Sequence, residues 1–246
     1  MSGSVSEGGS GRNTVIVTGA SRGIGKAIAA RMAAEGYDVV GLARGQFEGP
    51  GIQRQVDLND ASAKVKLAEI AAECGACRLV ANAGIVTVGS VGEVSDADFE
   101  ATMRVNVQSV IWAVQAVLPA MQAAGFGRIV TLGSRAALGK ATRASYSSSK
   151  AAITGLTRSL ALELAPHGIT VNGVAPGPID TEMFATDQPP GSPAREALLA
   201  RVPLRRMGLP EEVAAAVAHL VSDEAGFTTG QMLHVCGGLS VGGMGA

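Results

Sequence analysis

The chain has 246 residues, of which 47% are hydrophobic and 17% are charged, so it can bury a substantial core and is not intrinsically disordered. Its 20 Lys and Arg residues nearly balance its 21 Asp and Glu residues, which argues against a nucleic-acid-binding protein. Three cysteines are too few for a disulfide framework, and no apolar run approaches the roughly 18 residues of a membrane span. We therefore expect a cytoplasmic protein without membrane contact.

In chain order, the first twelve residues are polar and rich in Gly and Ser, which predicts a flexible N-terminal tail over 1–12. Beyond this tail, short β-branched and apolar runs alternate with segments of helical spacing, and no internal repeat divides them. The predicted strands cover about 13–20, 38–44, 53–58, 77–84, 128–134, 169–177 and 232–238, and the predicted helices about 24–33, 60–74, 96–124, 144–165 and 210–221.

Strands of near-continuous apolar character, alternating with amphipathic helices, indicate a parallel sheet that is covered on both faces. The sequence therefore predicts an α/β fold with a single doubly wound, Rossmann-type domain over 13–246. Its sheet is expected to be mostly parallel and seven-stranded, with helices on both faces. A Pro-rich segment at about 182–207 is predicted to form a mobile lid over the site.

A glycine-rich turn, Thr18–Gly25, joins the first predicted strand to the first predicted helix. Gly19, Gly23 and Gly25 permit a tight turn and a close approach of the backbone to a pyrophosphate at the helix N-terminus. Their spacing is G-x3-G-x-G, and glycine triplets are common at turns. The position directly after the first strand favours a nucleotide site.

At the end of the second strand, a dinucleotide-binding fold usually carries an acidic residue for the adenosine ribose. Here Arg44 occupies that position, and Arg22 lies inside the glycine turn. A guanidinium binds a 2′-phosphate, whereas a carboxylate would repel it. Two solvated surface arginines are the alternative interpretation. The sequence therefore favours NADP (NADPH) over NAD as the cofactor.

Tyr146 and Lys150 are four residues apart, so they share one face of a predicted helix. A phenol has an ordinary pKa near 10, and a nearby ammonium stabilises its charged form. This spacing often arises by chance and gains weight from two other residues. Ser134 ends the preceding strand, and Asn106 lies in the long helix before it.

From Asn13 to the C-terminus, the sequence resembles the classical short-chain dehydrogenase/reductase family. The resemblance rests on TGASRGIG, the NAG motif at 82–84, Asn106, Ser134, YSSSK and VAPGPIDT at 174–181. These motifs occur in the family's order and near its spacing, and their combination is specific.

The resemblance implies that Tyr146 is the general acid in carbonyl reduction and the general base in alcohol oxidation. Lys150 would bind the nicotinamide ribose and lower the pKa of Tyr146. Ser134 would hydrogen-bond the substrate oxygen, and Asn106 would anchor a water in a proton relay behind Lys150. The other residues implied to contact the cofactor are Gly19, Ser21, Arg22, Gly23, Ile24, Gly25, Arg44, Asp57, Leu58, Asn82, Ala83, Gly84, Pro176, Gly177, Ile179 and Thr181.

Within the family, the sequence is most similar to 3-oxoacyl-[acyl-carrier-protein] reductases, through GRIVTLGS, ITVNGVAPGPIDTEM and the segment from Pro210 onward. This resemblance implies NADPH-dependent reduction of a 3-oxoacyl thioester in fatty acid biosynthesis, with acyl carrier protein as a candidate partner. Such reductases often dock their acidic partner through paired arginines. Arg128 fits the first position, but His167 occupies the second.

Several positions depart from the family's usual pattern. Only the twelve residues 45–56 separate Arg44 from Asp57, so the usual helix before the third strand must be reduced to a turn. Some dihydrodiol dehydrogenases share this shortening, which leaves open a dehydrogenase of a cyclic secondary alcohol or dihydrodiol. A non-catalytic NADP-binding regulator is a remote third hypothesis. Ala81 replaces the first residue of Asn-Asn-Ala-Gly, and Cys236 replaces the usual Asp or Asn before Gly-Gly.

Cys74 and Cys77 form a C-x-x-C spacing, which is typical of metal or redox sites. A closed zinc site needs two more ligands, so structural thiols are favoured and no metal site is expected. The basic lid residues could meet an anionic substrate or simply face solvent. They are Arg195, Arg201, Arg205 and Arg206.

The long helix at 96–124 carries an apolar stripe, which either packs in the core or forms the interface of a homodimer or homotetramer. The stripe comprises Val105, Ile111, Trp112 and Leu118. His234, in the last predicted strand, is favoured as a structural histidine.

Overall fold

The structure, a computed structural model, describes residues 11–242. Seven strands form one sheet in the order β3-β2-β1-β4-β5-β6-β7, and every pair of neighbouring strands between residues 11 and 242 is parallel. This arrangement confirms the predicted doubly wound α/β fold. The strands are β1 (Thr14–Thr18), β2 (Asp38–Ala43), β3 (Ile52–Gln55), β4 (Arg78–Ala81), β5 (Gly127–Leu132), β6 (Ile169–Pro176) and β7 (Met232–Val235).

Helices follow the strands in alternation and cover both faces of the sheet. Their order along the chain agrees with the predicted order, with differences at the boundaries. They are α1 (Gly23–Ala34), α2 (Ala63–Cys74), α3 (Asp96–Met103), α4 (Ser109–Ala124), α5 (Ala144–Leu164), α6 (Glu182–Asp187), α7 (Pro193–Arg201), α8 (Pro210–Val221) and α9 (Leu239–Gly242).

The core lies in two layers, one on each face of the sheet. On one face, α1 and α8 bury Ile28, Met32 and Val217 against the strands. On the other face, α2, α4 and α5 bury a second apolar cluster that includes Leu67 and Met121. Each fully buried side chain of this size stabilises the fold by roughly 1.5–3 kcal/mol. Because both faces are covered, the central strands β1 and β4 are buried at every residue, as their apolar sequences predict.

The direction of winding reverses between β1 and β4, which are neighbours in the sheet. In open α/β sheets, ligands bind in the crevice beyond the carboxyl ends of the strands at such a reversal. The glycine turn follows β1, and Asn82 follows β4. The fold therefore places the two predicted cofactor-binding segments side by side.

Several predicted boundaries differ from the structure. The third strand ends at Gln55 instead of residue 58, and no helix occurs between Ala43 and Ile52, which confirms the predicted shortening. The second helix begins at Ala63, because Asp60 instead accepts a hydrogen bond from the Ser62 backbone at 2.7 Å in the preceding turn. Of the predicted tail, residues 1–10 lie outside the described part of the chain.

The last two tail residues are ordered, which corrects the predicted boundary of the tail. Gly11–Asn13 form a 3-10 turn, and the Gly11 carbonyl accepts a hydrogen bond from the Cys77 amide at 2.9 Å. The guanidinium of Arg12 lies 4.1 Å from the centre of the Phe126 ring.

The continuous helical stretch Asp96–Ala124 has 29 residues and a mean hydropathy of 1.2, so it meets a length-and-composition test for a membrane span. Core helices of soluble proteins meet the same test. Val114, Val117 and Met121 of this stretch pack in the core cluster with residues of α2. The predicted apolar stripe is divided, because Val105 is buried, Trp112 packs partly against the core and Ile111 is exposed.

Candidate active site

The first turns of α5 hold Tyr146 and Lys150 at the carboxyl edge of the sheet. The side chain of Lys150 is buried, and its Nζ lies 5.8 Å from the centre of the Tyr146 ring. Nζ donates a hydrogen bond of 2.7 Å to the Leu132 carbonyl at the end of β5. Burial lowers the pKa of Lys150 from its ordinary 10.5 to about 8. The ammonium is therefore held at a defined point beneath the phenol.

Ser134 follows β5 and caps the 3-10 turn Arg135–Leu138, where its Oγ accepts a hydrogen bond from the Ala136 amide at 3.1 Å. The Ser134 hydroxyl also lies close enough to Tyr146 to lower the pKa of that phenol. The segment after β5 and the first turn of α5 thus place these two predicted site residues near each other.

Burial raises the pKa of Tyr146, while the Ser134 hydrogen bond and the positive charge of Arg143 lower it. The expected lowering of the Tyr146 pKa by Lys150 stays a prediction. Arg143 was not among the predicted site residues. It lies three residues before Tyr146, so a helical projection could have placed the two residues on neighbouring positions. Thr142, two residues before the start of α5, has a φ of 58° and so adopts a strained left-handed backbone conformation.

Asn106 lies in a π-helical turn, Arg104–Gln108, between α3 and α4. Such turns often occur at functional sites. Its Oδ1 accepts a hydrogen bond from the Ile85 amide at 2.8 Å, and its Nδ2 donates to the Ile85 carbonyl at 3.0 Å and to Ser149 Oγ at 2.9 Å. A Cβ on Gly84 would lie 3.2 Å from Asn106 Oδ1 and 3.5 Å from Lys150 Nζ. Asn106 is therefore fixed next to the Lys150 ammonium.

The glycine turn is packed so tightly that it leaves no room for side chains at two positions. A Cβ on Gly25 would lie 2.0 Å from the Gly19 carbonyl oxygen and 2.5 Å from Asn82 Nδ2. Gly19, with φ of 68°, adopts a conformation that favours glycine. Ser21, Gly23 and Ile24 complete this turn. The turn exposes backbone amides at the N-terminus of α1, as a pyrophosphate requires.

Asn82 joins the glycine turn to β4. Its Nδ2 donates hydrogen bonds to the carbonyls of Thr18 at 2.9 Å and Gly19 at 3.2 Å. The amides of Asn82 and Ala83 both donate to Thr18 Oγ1, at 3.0 and 2.9 Å. The structure thus brings this strand end beside the turn, and Gly84 leads from it towards Asn106. Because Asn82 makes these bonds, the substitution at Ala81 leaves the motif's contacts intact.

Comparisons with known proteins agree with this geometry. A family model described as enoyl-(acyl carrier protein) reductase matches residues 19–240. The chain is 40% identical over 239 residues to a 3-oxoacyl-[acyl-carrier-protein] reductase of Escherichia coli strain K12, covering 91% of this chain and 96% of the relative. The chain belongs to the short-chain dehydrogenase/reductase family. It is therefore an NAD(P)-dependent oxidoreductase that acts on CH–OH or C=O groups.

Other members of the family are similar over the same length. A subunit of (2S)-[(R)-hydroxy(phenyl)methyl]succinyl-CoA dehydrogenase from Thauera aromatica is 37% identical and covers 92% of this chain and 96% of its own. The solved structure of a putative NAD(P)-dependent gluconate 5-dehydrogenase from Beutenbergia cavernae, with bound NADP, is 36% identical with a TM-score of 0.86, covering 92% and 96% of the two chains. Members with different substrates thus share this fold.

In this short-chain dehydrogenase/reductase, the adenosine side of the candidate cofactor site contains two exposed arginines. Arg22 precedes α1 and Arg44 follows β2, and neither forms an ion pair within residues 11–242. Asp57 is exposed, and its Oδ1 accepts a hydrogen bond from the Asn59 amide at 2.9 Å. Leu58 beside it is buried. Two exposed positive charges thus lie on this side, and the Asp57 carboxylate is directed into its own turn.

The opposite side of the site is formed by the segment after β6. Pro176 and Ile179 are buried there, and a Cβ on Gly177 would lie 2.7 Å from the Cα of Cys236. Thr181 caps α6, where its Oγ1 accepts a hydrogen bond from the Phe184 amide at 3.2 Å. A Cβ on Gly23 would lie 3.4 Å from Thr181 Cγ2, so this segment meets the glycine turn.

The lid segment contains α6 and α7, and two of its predicted anion-binding arginines are already paired. Arg195 is buried and forms an ion pair of 2.8 Å with Asp180, and Arg206 pairs with Glu212 at 2.5 Å. The Arg206 pair lowers the pKa of Glu212 to about 2. The side chain of Arg205 donates to the Ala200 carbonyl. Arg201 is the member of this set that is exposed and has no hydrogen bond within the described range.

Two expectations concern residues outside the site. Arg128, expected on a docking surface, is buried at the opposite edge of the sheet, so that expectation is wrong. Cys74 and Cys77 are buried free thiols at the end of α2 and before β4, and burial raises the pKa of both. No group of three metal-ligating side chains occurs in the part of the chain that the structure describes.

Proposed function

We propose that the protein reduces a ketone to a secondary alcohol with NADPH, and that its substrate is a 3-oxoacyl thioester. The observation that carries this proposal is the placement of Ser134 beside Tyr146, with the Lys150 ammonium 5.8 Å from the centre of the Tyr146 ring. A carbonyl oxygen placed between the two hydroxyls would receive two hydrogen bonds.

NADPH, when bound, supplies the hydride. Tyr146 is the proton donor, because its raised pKa keeps it a neutral phenol at pH 7. Ser134 Oγ donates a hydrogen bond to the same substrate oxygen and so stabilises the negative charge that develops there. The positive charge of Arg143 lowers the Tyr146 pKa against the effect of burial, and so reduces the cost of the phenolate that is left after proton transfer.

Lys150 binds the nicotinamide ribose through its ammonium, from a position that its 2.7 Å bond to Leu132 already defines. Asn106 holds a water that resupplies the proton through Lys150. A Cβ added to Gly84 would lie 3.2 Å from Asn106 Oδ1 and 3.5 Å from Lys150 Nζ, so these two side chains are near each other, which supports this role. The amide of Asn106 is itself oriented by Ile85 and Ser149.

The preference for NADPH over NADH is supported by Arg22 and Arg44. Both are exposed, at the turn and the strand end where the adenosine ribose would lie. The residue directly after the last residue of β2, Ala43, is Arg44 and not an acid. The remaining contacts are those of the glycine turn, Asp57, Leu58, the segment 82–84 and the segment from Pro176 to Thr181.

The 3-oxoacyl thioester is supported by the relatives from Escherichia coli and Salmonella typhi, each named as a 3-oxoacyl-[acyl-carrier-protein] reductase and 40% identical over 239 residues. By this analogy the protein acts in the cytoplasm in fatty acid biosynthesis, with acyl carrier protein as its partner. We also propose a homodimer or homotetramer, because Leu162 of α5 is 82% exposed and Ile111 of α4 is 37% exposed.

The second candidate is a dehydrogenase that oxidises a cyclic secondary alcohol. It is favoured by the absence of a helix between β2 and β3 and by similarity to solved structures titled as an aldohexose dehydrogenase and a levodione reductase. The same residues would serve, with Tyr146 as the base.

The test is the loss of nicotinamide absorbance with acetoacetyl-CoA, in parallel with NADPH and NADH, beside the oxidation of cyclic alcohols with NADP⁺ and NAD⁺. We expect rapid NADPH oxidation with the thioester. Turnover of cyclic alcohols without turnover of the thioester would select the second candidate. Cofactor binding without any turnover would select a regulator.

A further inference from the structure

A row of polar side chains crosses the sheet at the edge opposite the active site. Arg78 begins β4 and pairs in register with Arg128 of β5, which pairs with Thr170 of β6. Neighbours in register share one face of a sheet. Both arginines turn towards the end of α8, where Arg78 Nε donates to the Val221 carbonyl at 3.1 Å and Arg128 Nε to the Ser222 carbonyl at 3.2 Å.

Three guanidinium groups surround one aromatic ring at this edge. Arg12, Arg78 and Arg128 lie 4.1, 4.9 and 4.3 Å from the centre of the Phe126 ring. Arg78 and Arg128 are only 5% and 6% exposed, whereas Arg12 is exposed. Three cations are thus held close together, two of them out of water, where their mutual repulsion is strong.

One carboxylate balances these charges. Asp223 accepts a hydrogen bond from Arg78 Nη2 at 2.6 Å, but its own side chain is 70% exposed, which weakens its effect. Burial lowers the pKa of Arg128, Asp223 raises it, and Arg78 and Arg12 lower it. Within residues 11–242, the cluster therefore carries an excess of two positive charges.

Hydrogen-bonding groups also remain unused at this edge. Thr170 is 7% exposed, and its Oγ1 is buried without a partner among the described residues. Arg78 Nη1, Arg128 Nη2 and the whole guanidinium of Arg12 make no hydrogen bond within the same range. Leaving a buried hydroxyl unpaired is unfavourable, so this arrangement is matched to a ligand that accepts several hydrogen bonds.

We propose that this cluster, formed by Arg12, Arg78, Arg128 and Thr170, binds a phosphate group. A phosphate dianion matches the excess charge and offers oxygen acceptors to guanidinium forks and to the hydroxyl. Because the cluster lies at the amino-terminal ends of the strands, it is distinct from the candidate cofactor site. The bound phosphate would tie β4, β5 and the turn before β1 together and so stabilise the folded protein.

The test is thermal unfolding of the full chain at pH 7.5 in inorganic phosphate, compared with chloride at equal ionic strength. At a phosphate concentration 100 times its dissociation constant, we expect the Tm to rise by about 5–10 °C. Arg12→Ala should lose most of this rise, since it removes an exposed cation of the cluster without disturbing the core. Arg44→Ala, a matched loss of one exposed arginine at the candidate cofactor site, should retain it.

Thr170→Val provides a second readout that does not depend on charge. Without phosphate, its Tm should equal or exceed that of the wild type, because it removes an unpaired buried hydroxyl. With phosphate, its rise should be smaller than that of the wild type. A parallel series with glycerol 1-phosphate distinguishes a free phosphate ion from a phosphate monoester as the preferred source.

Two results would overturn the proposal. The first is a phosphate effect no larger than that of chloride. The second is a rise that Arg44→Ala abolishes and Arg12→Ala retains, which would place the anion at the glycine turn.

Discussion

Substitution of Lys150 by Met should make the protein more stable at neutral pH while it removes turnover. The lowering of the Lys150 pKa from 10.5 to about 8 corresponds to about 3 kcal/mol of destabilisation of the folded state. Loss of the bond from the charged ammonium to the Leu132 carbonyl costs about 2 kcal/mol in return. Lys150→Met should therefore gain about 1 kcal/mol, or roughly 2–4 °C in Tm, at pH 7.

The gain should depend on pH in a defined direction. The unfolded chain holds the Lys150 proton up to its ordinary pKa of 10.5, but the folded protein releases it near pH 8. The destabilisation of the folded state by the buried ammonium is therefore complete below pH 8 and is lost as the pH rises from 8 to 10.5. Urea unfolding of both proteins between pH 6 and 10 measures the difference. Lys64→Met, at an exposed position of α2, serves as the control and should change stability by less than ~0.5 kcal/mol. A Lys150→Met protein that is less stable than the wild type at pH 7, or a gain that does not change above pH 8, would refute the reasoning.

Three further predictions test the cofactor site and the ammonium. Gly25→Ala should abolish cofactor binding in a fluorescence titration, because its Cβ would lie 2.0 Å from the Gly19 carbonyl oxygen. The control Gly155→Ala, whose Cβ would lie in open space on α5, should leave binding unchanged. Arg44→Ala should raise KM for NADPH about 10-fold and leave KM for NADH nearly unchanged. Arg31→Ala, on α1, serves as the control. Equal effects on both cofactors would contradict a 2′-phosphate contact. The kcat/KM for reduction should fall as the pH rises through about 8, where the free enzyme loses the Lys150 ammonium, and a flat profile to pH 10 would contradict the role of that charge.

Sequence reasoning predicted the fold well because each element carries its own local signal. The buried parallel strands are apolar at nearly every position, and the glycine turn requires residues without a side chain at Gly19 and Gly25. Tyr146 and Lys150 could be paired because four residues make one turn of a helix. The shortened crossover was visible as a count of residues between Arg44 and Asp57.

The errors concern contacts that only the tertiary structure defines. The family resemblance implies a docking role for Arg128, but the end of α8 and Phe126 bury it. Arg12 was assigned to a tail, although the same ring packs against it. The π-helical turn around Asn106 has no local sequence signature, since it depends on the hydrogen bonds that Asn106 makes to Ile85 and Ser149.

The central claim is that Tyr146 donates the proton in NADPH-dependent reduction of a 3-oxoacyl thioester. The most direct measurement compares NADPH oxidation with acetoacetyl-CoA by the wild type and by Tyr146→Phe, together with the NADPH affinity of both. We expect rapid oxidation by the wild type, a loss of roughly 10²–10⁴-fold in kcat for Tyr146→Phe, and nearly equal NADPH affinities. Retained turnover in Tyr146→Phe would contradict the role of the phenol.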